Sequence, residues 1–410
     1  MGRSLAAVAR ALDAAAVAWL RLRPSSSPAG PAVVGDEDLL VAPADLAAAR
    51  RALRGLGFVE LPAPGRGGHR FWWAFDETDG HWTKLDVVTE LAFGPLGALR
   101  STAAAGCLAR RLRGPSLAEP AAEDAFWLLL LHDLLDRREL ALAHRVELAR
   151  TAPAATADHP LALLLAPACP AGWGPARILE LVRAGDWATL EPLAPRIGRH
   201  WAAGRPVRAR LELAANRVRR RLATLGLPPL RGLSVALLGP DGAGKSSALE
   251  TFTGLPAVPV RRIYLGLYGT GLPSGRGGSG FARRALLAWR GHVAGRLARA
   301  RGQLVVFDRH PLEVDRPGSG GRRARLRRWL LGHAIPRPDV ILVLDAPAEV
   351  LAARRPEHDV ADLARQREAY QALAASLRGA HLIDASAQPA LVQRAVLAAI
   401  WQAAARRGGW

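Results

Sequence analysis

Lysine is almost missing from this chain: of 56 basic residues only Lys84 and Lys245 are lysines, and the rest are arginines. Cysteine is as scarce, with Cys107 and Cys169 alone and far apart. Such a pair builds no disulfide framework and keeps no metal-ligand spacing, which excludes a cysteine-stapled scaffold or zinc module and points to a reducing, cytoplasmic setting. Long apolar runs are missing too. The stretch AFWLLLLHDLL is too short to span a bilayer. At the amino end, MGRSLAAVARALDAAAVAWLRLR is broken by Arg10 and Asp13, so it is expected to be an amphipathic helix rather than a secretory leader, and Ala6 breaks the myristoylation pattern. No membrane partner is expected. Acids number 36 against those 56 bases, a net charge of +20. Abundant Ala, Arg, Leu, Gly and Pro beside so little Lys indicates codon bias, which weakens the charge as a sign of nucleic-acid binding. No basic motif interleaved with aromatics is present, so nucleic acid is not the expected partner.

Half of the residues are apolar, enough for substantial cores in a chain of 410 residues. Three regions are expected. Residues 1–117 mix the runs VVGDEDLLV, FVEL, FWWAF and KLDVVTEL with the helical segment PADLAAARRALRGLGF, an α+β pattern. Residues 118–231 are rich in Leu, Ala and Arg with helical periodicity and form a helical connector, in which His132 and His144 read as core or boundary histidines. From 232 to 410 the runs VALLG, RRIYLG, QLVVFD, DVILVLD and AHLID alternate with helical patterns, which predicts an α/β parallel sheet with helices on both faces and ligands at the carboxyl ends of its strands.

The most informative segment is VALLGPDGAGKSSALE, Val235 to Glu250. An apolar run leads into Gly239, Gly242, Ala243, Gly244, Lys245, Ser246 and Ser247, and a helical pattern follows: the setting of a phosphate-binding loop, or P-loop. In a chain with glycine at roughly 7% the four fixed positions co-occur by chance on the order of a per cent of the time. Glycines let backbone amides turn toward a polyphosphate, Lys245 reaches its outer oxygens, and the Ser246 hydroxyl suits Mg2+. A chain that writes arginine almost everywhere keeps an ammonium here, where a compact point charge suits a phosphate. ATP and Mg2+ are the expected cofactors.

Two further elements suit phosphoryl transfer. QLVVFDRH ends a strand on Asp308 and Arg309, an acid that can hold Mg2+ through water and a guanidinium that can grip an acceptor phosphate. DVILVLDAPAEVLAARRPEHD delivers Arg354 and Arg355 to the end of a helix, where they could close over a transferring phosphoryl group or simply complement the helix dipole.

Together GPDGAGKSS, the DRH triplet, LDAPAEVLAARR and RQREAYQAL resemble the thymidylate kinase family over roughly residues 232–405. The resemblance implies ATP contacts at Gly242, Gly244, Lys245, Ser246 and Ser247, magnesium and acceptor roles for Asp308 and Arg309, an acceptor-sugar role for Asp241, and assistance from Arg354 and Arg355. Where the family holds thymine, this chain has PLEVDRPGSGG instead.

Upstream, GDEDLLV sets Asp36 and Asp38 on one face of a strand, and KLDVV can bring Asp86 beside them from a neighbouring strand. Three acids so arranged could hold Mg2+ for nucleotidyl transfer. About residues 25–95 resemble the minimal nucleotidyltransferase fold, without the Gly-Ser pair of that family. The expectation is an ATP- and Mg2+-dependent phosphotransferase with a small phosphorylated acceptor, a nucleoside monophosphate being one candidate and a homodimer one candidate assembly. Its alternatives are a regulatory nucleotide-binding protein and a nucleotidyltransferase with a nucleotide-sensing P-loop domain.

Overall fold

The computed structural model describes residues 4–23, 33–94, 97, 99–114, 117–203, 207–227, 229–253, 255–265, 278–308, 310–312 and 335–410. Residue contacts gather the chain into two compact units, 1–76 with 81–221, and 77–80 with 222–410.

The first unit begins with α1 (Leu5–Ala14), capped by the Ser4 hydroxyl, which accepts from Ala7 N at 3.3 Å. The helix expected to run on to Arg23 stops here, because Ala16 takes a left-handed φ of 53° and Val17 N bonds back to the Leu12 carbonyl. WLRLR, whose Arg21 and Arg23 are less buried than Leu20 and Leu22, instead forms β1 (Trp19–Arg23). β2 (Val33–Val41), α2 (Leu46–Gly55), β3 (Val59–Leu61), β4 (Arg70–Phe75) and β5 (Trp82–Val88) follow. The sheet order is β1-β2-β5-β4-β3. β2 and β5 are parallel and the other pairs antiparallel, so the sheet is mixed.

Short ladders join β6 (Leu91–Phe93) to β7 (Leu99–Ser101) and β8 (Leu112–Arg113) to β9 (Ala118–Glu119). The helical part comprises α3 (Ala104–Arg110), α4 (Ala122–Leu131), α5 (Leu142–Thr151), α6 (Pro160–Leu165), α7 (Pro175–Ala184), α8 (Trp187–Leu190), α9 (Leu193–Ala203) and α10 (Val207–Leu225). α4 is apolar around most of its circumference and is buried accordingly from Phe126 to Leu131. One continuous core runs from Val8 through the mixed sheet and α4 to Ile197, so sheet and leucine-rich helices share their apolar interior.

The second unit holds β10 (Ser234–Leu238), α11 (Lys245–Glu250), β11 (Val260–Tyr264), α12 (Gly278–Ala300), β12 (Leu304–Asp308), β13 (Val340–Asp345), α13 (Ala348–Arg354), α14 (Val360–Ser376), β14 (Ala380–Asp384) and α15 (Pro389–Arg406). The five apolar runs of the sequence are its five strands. They form an all-parallel sheet of order β11-β12-β10-β13-β14. Every residue of central β10 is buried, as a parallel strand covered on both faces requires. α12 packs Ala298 near Ala236 and Phe307, while α14 packs Tyr370 and Leu373 near Leu238 and Val343. Ser234 donates from its N and Oγ to Asp339 at 2.8 and 2.6 Å, tying the start of β10 to the start of β13. The chain leaves β10 toward one side of the sheet and later crosses to the other, so a topological switch point lies beyond Leu238. Among the described residues no helix is long and apolar enough to cross a membrane.

Within the first unit a buried carboxylate ties three helices together. Asp124, fully buried on α4, accepts from Arg110 Nη2 at 2.7 Å, His159 Nε2 at 2.9 Å and Cys107 Sγ at 3.2 Å. His159 Nδ1 accepts from Leu161 N, which leaves the ring hydrogen on Nε2 to donate. Burial works to raise the Asp124 pKa, but its three partners outweigh burial and hold the carboxyl well below the usual range. Burial and that same carboxylate push the Cys107 thiol up to about 12, so it is no nucleophile. A depressed folded pKa stabilises the protein above the unfolded value of about 3.9, and the contribution is lost as pH falls below it. Asp124→Asn should therefore cost about 3–5 kcal/mol at pH 7 and flatten the acid limb of the stability profile between about pH 4 and 2. Urea unfolding of both proteins across that range checks both expectations.

Candidate functional site

The loop from Gly239 to Gly244 joins the end of β10 to α11 at the switch point. Its shape follows from two close approaches. Gly239 has φ 146°, and a Cβ there would lie 2.6 Å from the Leu344 carbonyl of β13; at Gly242, φ 85°, it would lie 2.9 Å from the Leu351 carbonyl of α13. Only glycine fits either place. Gly244 also has positive φ, 84°, yet the space around its missing Cβ is open to 4 Å. Ala243 is buried, and Ser246 and Ser247 are exposed in the first turn of α11.

Lys245 folds back over this loop. Its ammonium donates to the carbonyls of Gly239 at 2.6 Å and Pro240 at 3.0 Å, a cation laid on two oxygens of the turn that precedes it. Asp241 stands 3.8 Å from His358 Nε2. Arg354 reaches the loop from α13, donating to Gly242 O at 3.5 Å and to Ala385 O at 3.0 Å. Arg355 lays its Cγ 3.3 Å from the Cβ position of Gly242, while its exposed guanidinium meets Glu357 at 3.4 Å. The two arginines proposed from sequence thus lie against the glycine loop, although more than a hundred residues separate them from it.

Asp308 ends β12 beside Leu237 of β10 and Tyr264 of β11, and its carbonyl accepts from Leu265 N at 2.9 Å. Arg309 lies outside the described residues. Two groups near the strand ends escaped the sequence reading. Asp345, which ends β13, is held bidentately by Arg367 at 2.8 and 3.1 Å and by Gln371 at 2.9 Å, so its charge is already matched. His310 is buried, and burial, followed by the neighbouring His292, pushes its pKa down to about 4. Its Nδ1 accepts from Leu312 N at 3.2 Å, and its Nε2 has no partner among the described residues. The triplet DRH was the only signal for it, and the imidazole's burial is not written in that spacing.

In the first unit the parallel register sets Asp38 beside Asp86 and Asp36 beside Lys84, so these four side chains share a face of the sheet. Each acid is already engaged: Asp36 by Lys84 at 2.8 Å, Asp38 by Arg23, and Asp86 by His69 at 2.7 Å. Among the described residues no group of three or more His, Cys, Asp or Glu is arranged to hold a metal ion. Lys84 and Arg23 thus already occupy carboxylate oxygens that a bound Mg2+ would need. His132 and His144 likewise rest on carboxylates, Asp136 at 3.0 Å and Asp133 at 2.8 Å.

The close approach at Gly242 and the open space at Gly244 make the two glycines unequal. Gly244→Ala should cost about 1 kcal/mol of backbone strain, whereas Gly242→Ala, which also drives a methyl into Leu351, should cost about 3 kcal/mol. Denaturant unfolding of the two variants measures the difference, and equal losses would show that α13 does not constrain the loop. No protein-family model matches the chain, and no curated protein matches it.

Proposed function

We propose that the C-terminal unit is an ATP- and Mg2+-dependent phosphotransferase acting on a small phosphorylated acceptor, with nucleoside monophosphates as the acceptor class suggested by the resemblance to thymidylate kinases. The observation that supports this best is the glycine loop at the carboxyl end of the central strand, with Lys245 across its carbonyls and Arg354 on its Gly242 oxygen. One ammonium, two guanidinium groups and exposed hydroxyls make a donor set that fits a polyphosphate, and the open side at Gly244 leaves it room.

Bound Mg-ATP supplies a transferable terminal phosphoryl group whose oxygens must be neutralised. Lys245 would exchange the Gly239 and Pro240 carbonyls for phosphate oxygens. Ser246 Oγ and, through water, the Asp308 carboxylate would hold the cation. Arg354 and Arg355 would screen charge as it develops, a role in which preorganised donors contribute most of the rate. Asp241 would hold an acceptor hydroxyl, and Arg309 keeps its sequence-based assignment to the acceptor phosphate.

Calorimetric titration of the full chain with ATP and MgCl2 should give saturable binding. ADP release should then appear with at least one member of a panel of nucleoside and sugar monophosphates. Lys245→Ala should lower turnover by about a hundredfold or more, since no other lysine of the chain lies in this unit. Absence of ATP binding by the unaltered chain would overturn the reading. The segment PLEVDRPGSGG, in the place where thymidylate kinases hold thymine, favours a second reading of regulatory nucleotide binding. ATP binding with no acceptor-dependent ADP release would select that one.

A further inference from the structure

A cavity of about 550 Å³ opens on the amino-terminal side of the parallel sheet, at the opposite end of β10 from the glycine loop. Ser234 at the start of β10 lines it, and so does Phe307, which pairs with Ala236 at the middle of that strand, while no lining residue belongs to the glycine loop. Arg231, Arg296, Arg299, Arg337 and Arg407 also line the cavity. Two of them, Arg299 and Arg407, hold Asp339, each at 3.1 Å, and that carboxylate also accepts from Ser234. Among the described residues no carboxylate pairs with Arg231, Arg296 or Arg337. Burial lowers the Arg299 pKa and Asp339 opposes this, while Arg407 and Arg296 lower it further, so the guanidinium groups repel one another.

Arginines in the last turn of a helix complement its dipole, and Arg299 and Arg407 at the ends of α12 and α15 serve that purpose. The remaining guanidinium groups are not explained in this way, because Arg231 and Arg337 lie on connecting segments and Arg296 is a full turn back. Nor is His292. This residue lines the cavity at 6% exposure, and neither ring nitrogen has a hydrogen-bond partner among the described residues. Burial, then Arg296 and Arg299, lower its pKa, so at neutral pH it presents one N–H donor and one acceptor. A buried ring with both nitrogens unmatched is costly, so its place in the cavity wall is not explained by packing alone. Leu230, Leu297, Phe307 and Pro336 supply apolar wall.

We infer that this cavity is a binding site for a small organic phosphate, separate from the glycine loop. Guanidinium groups take the phosphate as bidentate forks, and the apolar wall takes a ring-sized body that lies against the buried His292. The inference stands apart from the phosphotransferase reading, because it uses no residue of the glycine loop.

The test is calorimetric titration of the full chain with 4-nitrophenyl phosphate, and with inorganic phosphate as the probe lacking a ring. Four proteins are compared: the unaltered chain, Lys245→Ala, the exposed-rim double variant Arg296→Ala with Arg337→Ala, and His292→Gln. Saturable binding of 4-nitrophenyl phosphate is expected, tighter than that of inorganic phosphate, unchanged in Lys245→Ala and weaker by about tenfold or more in the double variant. The His292 imidazole resonance, assigned by its loss in His292→Gln, should shift along the same titration. Binding abolished by Lys245→Ala but untouched in the double variant would place the ligand on the glycine loop and overturn the inference. So would the absence of saturable binding, or saturation without movement of the His292 resonance.

Discussion

The closeness of β13 to the end of β10 is the constraint on which the candidate site depends. β10 is paired on both sides and buried at every residue, so the chain leaving it has no lateral freedom. At Gly239 the backbone passes the Leu344 carbonyl with no space for a side chain, and at Gly242 it does the same beneath Leu351. Those two approaches turn a flexible glycine-rich segment into a single shape. They also bring α13 against it, so that Arg354 and Arg355 reach a loop far away in sequence.

Charge matching separates the structural acids from the rest of the molecule. Asp124, Asp36, Asp38, Asp86 and Asp345 each hold a fixed cationic or hydrogen-bonding partner at short range. In the first unit this places Lys84, one of the chain's two lysines, on Asp36, on the sheet face that also carries Asp38 and Asp86. The other lysine, Lys245, donates to the Gly239 and Pro240 carbonyls of the glycine loop. The amino side of the parallel sheet reverses the balance: five arginines line its cavity, and among the described residues carboxylate pairing is shown for Arg299 and Arg407 alone.

The segments legible in advance were those whose physics is local. Five apolar runs bounded by turns became five strands, and glycines at fixed spacing after the first of them took positive φ where the loop turns. The amino-terminal run is helical only in its first half, because Ala16 reverses the chain and WLRLR finds a partner in β2. Helical periodicity over α1 could not foresee that edge, since a strand's stability lies in its neighbour.

Local pattern alone therefore determined the alternation of strand and helix, the position of the glycine loop and the lone lysine beside it, because steric rules and hydrophobic periodicity act within a few residues. Tertiary structure decided which charges are matched and which groups are buried without partners. Asp345 meets Arg367, Asp124 meets His159 and Asp36 meets Lys84 only because folding brings them together. His292 and His310 lose their water on the same terms. Desolvation and pairing are properties of the packed interior, and a linear spacing holds no record of either.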